Sequence, residues 1–264
     1  MPRPRLVVTD LDGTFLGPDG SISPLNRAAA ARAAALGIPF VVATGRPIRW
    51  LDVLADLDAA HPLVIASNGA VLWDLAERRV VEHHALSPGC LAEVVGRLRA
   101  GLDGAYLGVE TVAGFRCDPG TPNLDSGTDL VTDDLLATGE PVLKVLGFHP
   151  GLASAELTAR ALALVGELAT VTHSAVEVPG VVEISAPGVS KASALIGLCG
   201  RLGIDAAEVV AFGDMPNDAE MLAWAGQPQV VGNAHPSLLA AGFPVVGSHA
   251  DSGVGRRLLD LLDA

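Results

Sequence analysis

The chain has 264 residues, of which 50% are hydrophobic and 18% are charged, so it is long and apolar enough for one large domain or two smaller ones. Its formal net charge of −13 disfavours nucleic-acid binding, which requires a cationic surface, and would repel a phosphorylated substrate at long range. A phosphate site therefore needs local cations or a metal ion. Three scattered cysteines (Cys90, Cys117 and Cys199) are typical of a reducing compartment and fit neither a disulfide framework nor a zinc site.

The sequence also indicates where the protein is found. The opening Met-Pro-Arg-Pro-Arg runs directly into a predicted strand and lacks the long apolar region of a signal peptide. No segment approaches the ~18 uninterrupted apolar residues of a transmembrane helix. We therefore expect a cytoplasmic protein with neither a membrane nor a nucleic acid as a partner.

In the first part of the chain, short apolar strands alternate with helices. The predicted strands cover residues 7–9, 39–43 and 63–66. Ser23 is a predicted N-cap, Pro24 suits the first helical position and Gly37 follows the end of the same helix. A second helix is predicted to begin at Pro47. This rhythm predicts parallel βαβ units with right-handed crossovers.

The rhythm changes near residue 80, where hairpins and helices mix. Residues 71–73 and 80–85 can pair as a hairpin, and a helix capped by Ser87 is predicted to extend to about residue 100. Residues 117–134, rich in Pro, Gly, Asp and Thr, are predicted to form an extended loop. Further strands are predicted over 105–109, 112–116, 142–148, 171–173 and 181–184, with a helix over 153–168. We therefore predict a separate α+β unit at residues 82–186.

The parallel rhythm returns after residue 186. Helices are predicted over 191–202, around Met221 and over 253–262, and strands over 209–212, 229–231 and 244–246. The predicted fold class is α/β. Residues 1–81 and 187–264 form a Rossmann-like parallel-sheet core, and residues 82–186 form an inserted α+β cap domain.

Polar side chains lie at the ends of the predicted core strands or begin the helix that comes after the insertion. They are Asp10, Asp12, Thr44, Lys191, Asp214, Asn217 and Asp218. Because the carboxyl ends of parallel strands share one edge of a sheet, we expect these side chains to converge. Carboxylates suit a hard ion such as Mg2+, and a lysine with backbone amides suits a dianionic phosphoryl group. Each residue alone also fits an ordinary turn, cap or solvated position, so the joint pattern decides the interpretation.

Taken together, these residues resemble the haloacid dehalogenase-like phosphatases. The four motifs of that family stand in order, as Asp10-Leu11-Asp12-Gly13-Thr14, Thr44-Gly45-Arg46, Lys191 and Gly213-Asp214-Met215-Pro216-Asn217-Asp218. The insertion after the second motif is similar to the large α+β cap of the Cof-type, sugar-phosphatase-like branch. Residues 188–195 and Gly232-Asn233-Ala234 also match that branch. Met215-Pro216 and the weakly acidic segment 248–252 depart from it, and the second departure concerns a substrate-facing loop.

The resemblance implies a role for each matching residue. Asp10 would be the nucleophile that forms an aspartyl-phosphate, and Asp12 would protonate the leaving oxygen and then activate water. Asp10, the backbone carbonyl of Asp12 and Asp214 would bind Mg2+. Thr44 would hold phosphoryl oxygens and Lys191 would stabilise charge. The remaining candidates would orient these groups or meet the substrate; they are Asn217, Asp218, Gly45, Arg46 and, on a cap strand, Glu183.

The sequence leaves three functions open. The leading one is Mg2+-dependent hydrolysis of a small phosphorylated metabolite, with a sugar phosphate expected because few aromatics are available for a nucleobase pocket. A phosphotransferase or phosphomutase would use the same site with an acceptor hydroxyl in place of water. A non-catalytic phosphometabolite sensor is disfavoured because Asp10, Asp12 and Lys191 are all present. The cap is expected to close over the site and select the leaving group. The sequence predicts no oligomeric state.

Overall fold

A computed structural model describes residues 3–60, 62–122, 129–173 and 180–263. The strands are β1 (Leu6–Thr9), β2 (Phe40–Ala43), β3 (Leu63–Ala66), β4 (Val71–Asp74), β5 (Arg79–His83), β6 (Tyr106–Thr111), β7 (Phe115–Cys117), β8 (Leu130–Val131), β9 (Val142–His149), β10 (Thr170–Thr172), β11 (Gly180–Ser185), β12 (Val209–Gly213), β13 (Gln227–Val231) and β14 (Val245–Val246). The α-helices are α1 (Pro24–Ala35), α2 (Pro88–Gly101), α3 (Ser154–Val165), α4 (Lys191–Leu202), α5 (Ala219–Trp224), α6 (Pro236–Leu239) and α7 (Gly253–Leu262).

The chain folds into two compact units. The first combines Met1–Glu82 with Lys191–Ala264, and the second is His83–Ser190. The first unit is therefore discontinuous in sequence, and its two segments meet in one sheet, where β1 pairs with β12. Within the described residues, no helix is both long and apolar enough to cross a membrane.

The first unit is built on an eight-stranded sheet in the order β14-β13-β12-β1-β2-β3-β4-β5. The strands from β14 to β3 run parallel, and β4 is antiparallel to β3. Leu6, Val7 and Val8 of the central β1 are fully buried, as expected for a parallel strand covered on both faces. Because β1, β2 and β12 point the same way, the residues after each strand lie along one edge. The predicted α/β class with a parallel-sheet core is confirmed.

The second unit contains a six-stranded sheet in the order β10-β11-β9-β6-β7-β8. Its pairs are antiparallel except β7 with β8, and α2 and α3 pack together, with α3 against β10 and β11. The hydroxyl of Ser87 accepts a hydrogen bond from the amide of Cys90, which caps α2 as predicted. An α+β cap of the predicted kind is therefore present in the second unit.

The helical segment after Pro47 differs in type from a continuous α-helix. Residues Ile48–Ala60 form 3-10 turns interrupted at Trp50, whose φ of −109° is not helical. Leu51, Leu54 and Leu57 are almost fully buried. A spacing of three residues places them on one face of a helix with 3.0 residues per turn, which explains the preference for 3-10 geometry.

The predicted loop over residues 117–134 is partly wrong. Leu130–Val131 form β8, which pairs in parallel with β7. A short edge strand without alternating apolar residues gives little periodic signal, and both of its residues are exposed. Residues 123–128 of that loop lie outside the described residues. The short helix α6 was also not predicted; its cap is His235, whose ring accepts from the amide of Ser237.

Candidate active site

A buried lysine joins two carboxylates at the edge of the core sheet where β1, β2 and β12 end. The residues that follow these strands, together with Lys191, are called the strand-end site. Nζ of Lys191, at the start of α4, donates to Oδ1 of Asp10 at 2.6 Å and to Oδ1 of Asp218 at 2.7 Å. All three side chains are almost fully buried. Asp10 directly follows β1, and its amide donates to the carbonyl of Phe212 on β12, so the two strands fix its position.

Burial sets the electrostatics of this group. Burial raises the pKa of Asp10 well above its ordinary value of 3.8, and the positive charge of Lys191 opposes that rise. For Lys191 itself, burial lowers the pKa, but the charges of Asp10 and Asp218 outweigh it and hold the pKa above the ordinary value. Lys191 therefore stays cationic and favours the ionised form of Asp10.

A third carboxylate belongs to the same cluster. Asp214 follows β12 and accepts a hydrogen bond from the hydroxyl of Thr14 at 2.8 Å. Burial, and after it the charge of Asp218, raises the pKa of Asp214 from 3.8 to about 6. Ligand oxygens of Asp10, Asp214 and Asp218 all lie within 4.8 Å of one another. Three buried carboxylates with one lysine keep excess negative charge, so the donor set fits a hard divalent cation such as Mg2+.

Asp218 has a further structural role. Its Oδ2 accepts hydrogen bonds from the amides of Asp214 and Met215, at 3.1 and 3.0 Å. A Cβ at Gly213 would come within 2.7 Å of the Cβ of Asp218, so glycine is required at that position. The loop after β12 is thus wrapped around the side chain of Asp218, which leaves only Oδ1 to meet Lys191.

Asp12 stands apart from the buried cluster. Its side chain is 53% exposed, and Arg46 donates to both of its oxygens, from Nε at 2.8 Å and from Nη2 at 2.6 Å. The side-chain hydrogen bond with Asp12 raises the pKa of Arg46 above its ordinary value. Thr44, at the end of β2, is buried, and its hydroxyl accepts from the amide of Arg46 at 3.0 Å. Gly45 lies between them.

The turn after Asp12 approaches Asp214 closely. Gly13 has a φ of +78°, and a Cβ there would lie 2.4 Å from Oδ2 of Asp214. Its carbonyl accepts from Nδ2 of Asn233 at 2.7 Å, and Oδ1 of Asn233 accepts from the amide of His249 at 2.9 Å. The side-chain contacts of Thr14 and Asn233, and the contact of the His249 amide, were missed by sequence reasoning. For Asn233 the signal was available in the Gly232-Asn233-Ala234 motif.

Asn217 lies in the loop that carries Asp214 and Asp218. Its Nδ2 donates to Oδ1 of Asn68 at 3.2 Å, and its own Oδ1 is buried without a hydrogen-bond partner among the described residues. Asn68 belongs to the turn after β3, so this bond joins two strand-end loops. The link between Asn68 and Asn217 was not predicted from the sequence.

Glu183 belongs to the second unit and is described there. It lies on β11, is almost fully buried and accepts a hydrogen bond from Nζ of Lys144, on the neighbouring β9, at 2.6 Å. Lys144 is also almost fully buried. The carboxylate predicted to meet a substrate is therefore already engaged in a buried ion pair.

Comparison with known proteins identifies the family. A model of haloacid dehalogenase-like hydrolases matches residues 7–108 and 122–258, which is most of the chain. The chain belongs to the haloacid dehalogenase-like hydrolases. The resemblance inferred from the four motifs is confirmed, and so is the predicted enzyme class, a phosphatase of this family.

Several relatives of this hydrolase cover nearly its whole length. It is 28% identical over 277 aligned positions to an HMP-PP phosphatase of Cronobacter sakazakii, with 98% of this chain and 96% of the relative covered. A solved structure from Streptococcus mutans UA159 has a TM-score of 0.86 at 22% identity, covering 99% and 100% of the two chains. A haloacid dehalogenase-like hydrolase from B. subtilis has a TM-score of 0.81 at 25% identity, covering 97% and 99%.

Proposed function

We propose that this hydrolase is a Mg2+-dependent phosphomonoesterase that acts on a small phosphorylated metabolite through an aspartyl-phosphate on Asp10. The observation that carries the proposal is the buried bridge from Lys191 to Asp10 and Asp218, beside Asp214. A structural ion pair needs one carboxylate. Three carboxylates around one lysine keep excess negative charge, which suits a metal ion. The metal ion and the lysine together then suit a phosphoryl group.

Asp10, Asp214 and the backbone carbonyl of Asp12 are the proposed metal-binding groups. A bound Mg2+ would supply positive charge that offsets repulsion between these carboxylates and the phosphate dianion. Lys191 adds a second cationic centre and favours the ionised form of Asp10. The deep burial of Asp10 and Lys191 lowers the local dielectric, which strengthens their interaction with developing charge.

The proposed reaction has two steps. A carboxylate oxygen of Asp10 bonds to phosphorus while the bond from phosphorus to the leaving oxygen breaks, and Asp12 donates a proton to that oxygen. A water molecule then attacks phosphorus, Asp12 takes its proton, and the bond to Asp10 breaks to release phosphate. Thr44 and the amides after Asp12 hold phosphoryl oxygens, and Asn217 and Asp218 orient neighbouring groups. If an acceptor hydroxyl replaced water in the second step, the phosphoryl group would be transferred to that acceptor instead of being released as phosphate.

The substrate proposal has two sources. With aromatic residues at only 4% of the chain, a polar pocket suited to sugar hydroxyls is favoured over a stacking pocket. The relative from Cronobacter sakazakii is named for HMP-PP, which makes that compound the second candidate. We further propose that the second unit selects the leaving group and that Glu183 takes part in this selection, because the phosphoryl group is common to all phosphate esters.

The free state of Cys90, Cys117 and Cys199 supports a reducing, cytoplasmic location.

The covalent step gives the sharpest test of the proposal. Asp10→Asn removes the nucleophilic oxygen but keeps the shape of the side chain, so phosphate release should fall by at least about 10³-fold. Rapid quenching with a 32P-labelled substrate should trap phosphate on Asp10 in the unaltered enzyme and not in the variant. Free phosphate and isomerised product are measured in parallel across sugar phosphates, HMP-PP and p-nitrophenyl phosphate. Near-normal turnover by Asp10→Asn, or label on another residue, would show that the nucleophile is misassigned.

A further inference from the structure

The turn after β3 holds two consecutive residues in a strained conformation. Ser67 and Asn68 have φ values of +50° and +56°, in the left-handed region that residues with a Cβ avoid. Each such residue costs about 1 kcal/mol or more and persists only where surrounding contacts fix it. Both side chains are buried, so exposure to solvent does not explain the conformation.

The contacts that fix this turn come from the loop after β2. The amide of Ser67 donates to the carbonyl of Arg46 at 2.9 Å, and the amide of Asn68 donates to the carbonyl of Thr44 at 3.0 Å. The left-handed backbone thus presents both amides to residues of the strand-end site. The carboxamide of Asn68 then reaches the loop after β12, where it accepts from Nδ2 of Asn217.

The bond from Asn217 to Asn68 determines which way the Asn217 amide faces. A carboxamide has one donor end and one acceptor end, and an acceptor at Asn68 selects the donor end of Asn217. Oδ1 of Asn217 is then the free end. It is buried and has no hydrogen-bond partner among the described residues, and the same is true of the Ser67 hydroxyl. An unsatisfied buried acceptor costs about 1–3 kcal/mol unless another group completes it.

We propose that Asn68 is a positioning residue, which orients the amide of Asn217 so that Oδ1 can accept a hydrogen bond from the hydrated divalent cation at the Asp10–Asp214 cluster. This inference rests on the proposed metal-dependent function. Its support is the place of Asn217 in the chain, between Asp214 and Asp218, together with the buried free acceptor. Partners that orient groups around a metal typically contribute about 10–100-fold to metal affinity.

The test uses Asn68→Gly, which removes the acceptor but suits the left-handed backbone, so the turn should be kept. Binding of Mn2+, as a spectroscopic probe for Mg2+, is titrated by electron paramagnetic resonance on the full chain without substrate. We expect the Kd for Mn2+ to rise about tenfold. The Mg2+ concentration for half-maximal p-nitrophenyl phosphate hydrolysis should rise by a similar factor, with kcat at saturating Mg2+ within about twofold of the unaltered enzyme.

Two further variants separate positioning from a general effect of the turn. Arg78→Gly relieves a similar left-handed strain, at a φ of +48°, in an exposed turn of the same unit, and should leave the Kd for Mn2+ unchanged. If Asn68 acts through Asn217, adding Asn68→Gly to Asn217→Ala should change the Kd no further, because the pair is coupled.

The outcomes distinguish this inference from the proposed function. If the unaltered chain binds Mn2+ and the Asn68→Gly variant binds it with the same Kd, the positioning role of Asn68 is refuted and the metal site is not. Fully additive effects of the two asparagine substitutions would overturn it as well. Failure of the unaltered chain to bind Mn2+ would overturn the metal site, and this inference with it.

Discussion

Replacing Lys191 by methionine would remove the ammonium group that lies among the buried carboxylates of Asp10, Asp214 and Asp218. Methionine has nearly the length of lysine and fills the same space without charge. Asp218 would keep its two bonds from the amides of Asp214 and Met215, but its Oδ1 and Oδ1 of Asp10 would both lose Nζ of Lys191. The substitution therefore tests charge rather than packing.

The expected loss depends on the burial of the pair. Removing one partner of a buried ion pair costs about 3–5 kcal/mol, because the other charge stays buried. Lys191 serves two carboxylates, but Asp218 keeps its two backbone hydrogen bonds, so we expect about 4 kcal/mol rather than twice the single-pair value. For a unit of about 150 residues this corresponds to a fall in Tm of roughly 10 °C in metal-free protein. Phosphatase activity should be lost.

Mg2+ should reduce this loss, since a divalent cation replaces part of the missing charge. A ligand that binds only folded protein stabilises it by about 2.7 kcal/mol at a hundred times its Kd. The Lys191→Met cluster is more negative than the original, so its stabilisation by Mg2+ should exceed that of the unaltered chain. The assay is urea denaturation in excess chelator and in excess Mg2+.

Lys144→Met provides a matched control in the second unit. Lys144 is as buried as Lys191 and pairs with Glu183 at the same 2.6 Å distance, but it is not part of the carboxylate cluster. Its replacement should also destabilise the chain by about 3–5 kcal/mol. That loss should not respond to Mg2+. Equal, Mg2+-independent losses in both variants, or retained activity in Lys191→Met, would refute the reasoning.

The remaining predictions concern pH and specificity. The pKa of Asp214 is raised from 3.8 in the unfolded chain to about 6 in the folded, metal-free protein, so between these pH values only the folded protein holds this proton. The stabilisation that the bound proton provides is complete below pH 3.8 and is lost as the pH rises through about 6. Because the pKa of Asp10, a second proposed ligand, is raised as well, the Kd for Mn2+ should fall at least about tenfold per unit up to pH 6, and a flat profile from pH 5 to 8 would contradict this. Glu183→Gln should change the ranking of sugar phosphates while p-nitrophenyl phosphate hydrolysis stays within about twofold, and an unchanged ranking would remove Glu183 from substrate selection.

The sequence could predict that Asp10 and Asp218 lie close together because the topology of the core sheet places the ends of their strands side by side. Apolar runs of strand length mark β1 and β12, and parallel order places their carboxyl ends at one edge. Charged residues directly after buried strands are also uncommon enough to notice. Strand order and residue type were therefore sufficient for the two carboxylates, whereas Lys191 begins α4 directly after the second unit and was found through its match to the third family motif.

Other contacts could not be predicted in the same way. Ser67-Asn68-Gly69 has the composition of an ordinary turn, and a left-handed φ at two residues with a Cβ cannot be inferred from composition. The pairing of Glu183 with Lys144 depends on the register between β9 and β11, where they are diagonal rather than opposite. Register is set by packing of the whole sheet, which a single strand does not reveal.

The pairing of Asp12 with Arg46 bears on the proposed acid role. Both oxygens of Asp12 accept hydrogen bonds from Arg46, and this fork holds the carboxyl group turned towards the guanidinium, so the pair has to open for Asp12 to turn towards a leaving oxygen. Because Asp12 is 53% exposed and Arg46 26%, the pair contributes about 0–1 kcal/mol, which substrate binding can offset. Opening would also free the guanidinium of Arg46, within the second motif, to bind an anionic substrate. A complex with a phosphate analogue in which Asp12 still held Arg46 would contradict the acid role, and the proton would then have to come from another group.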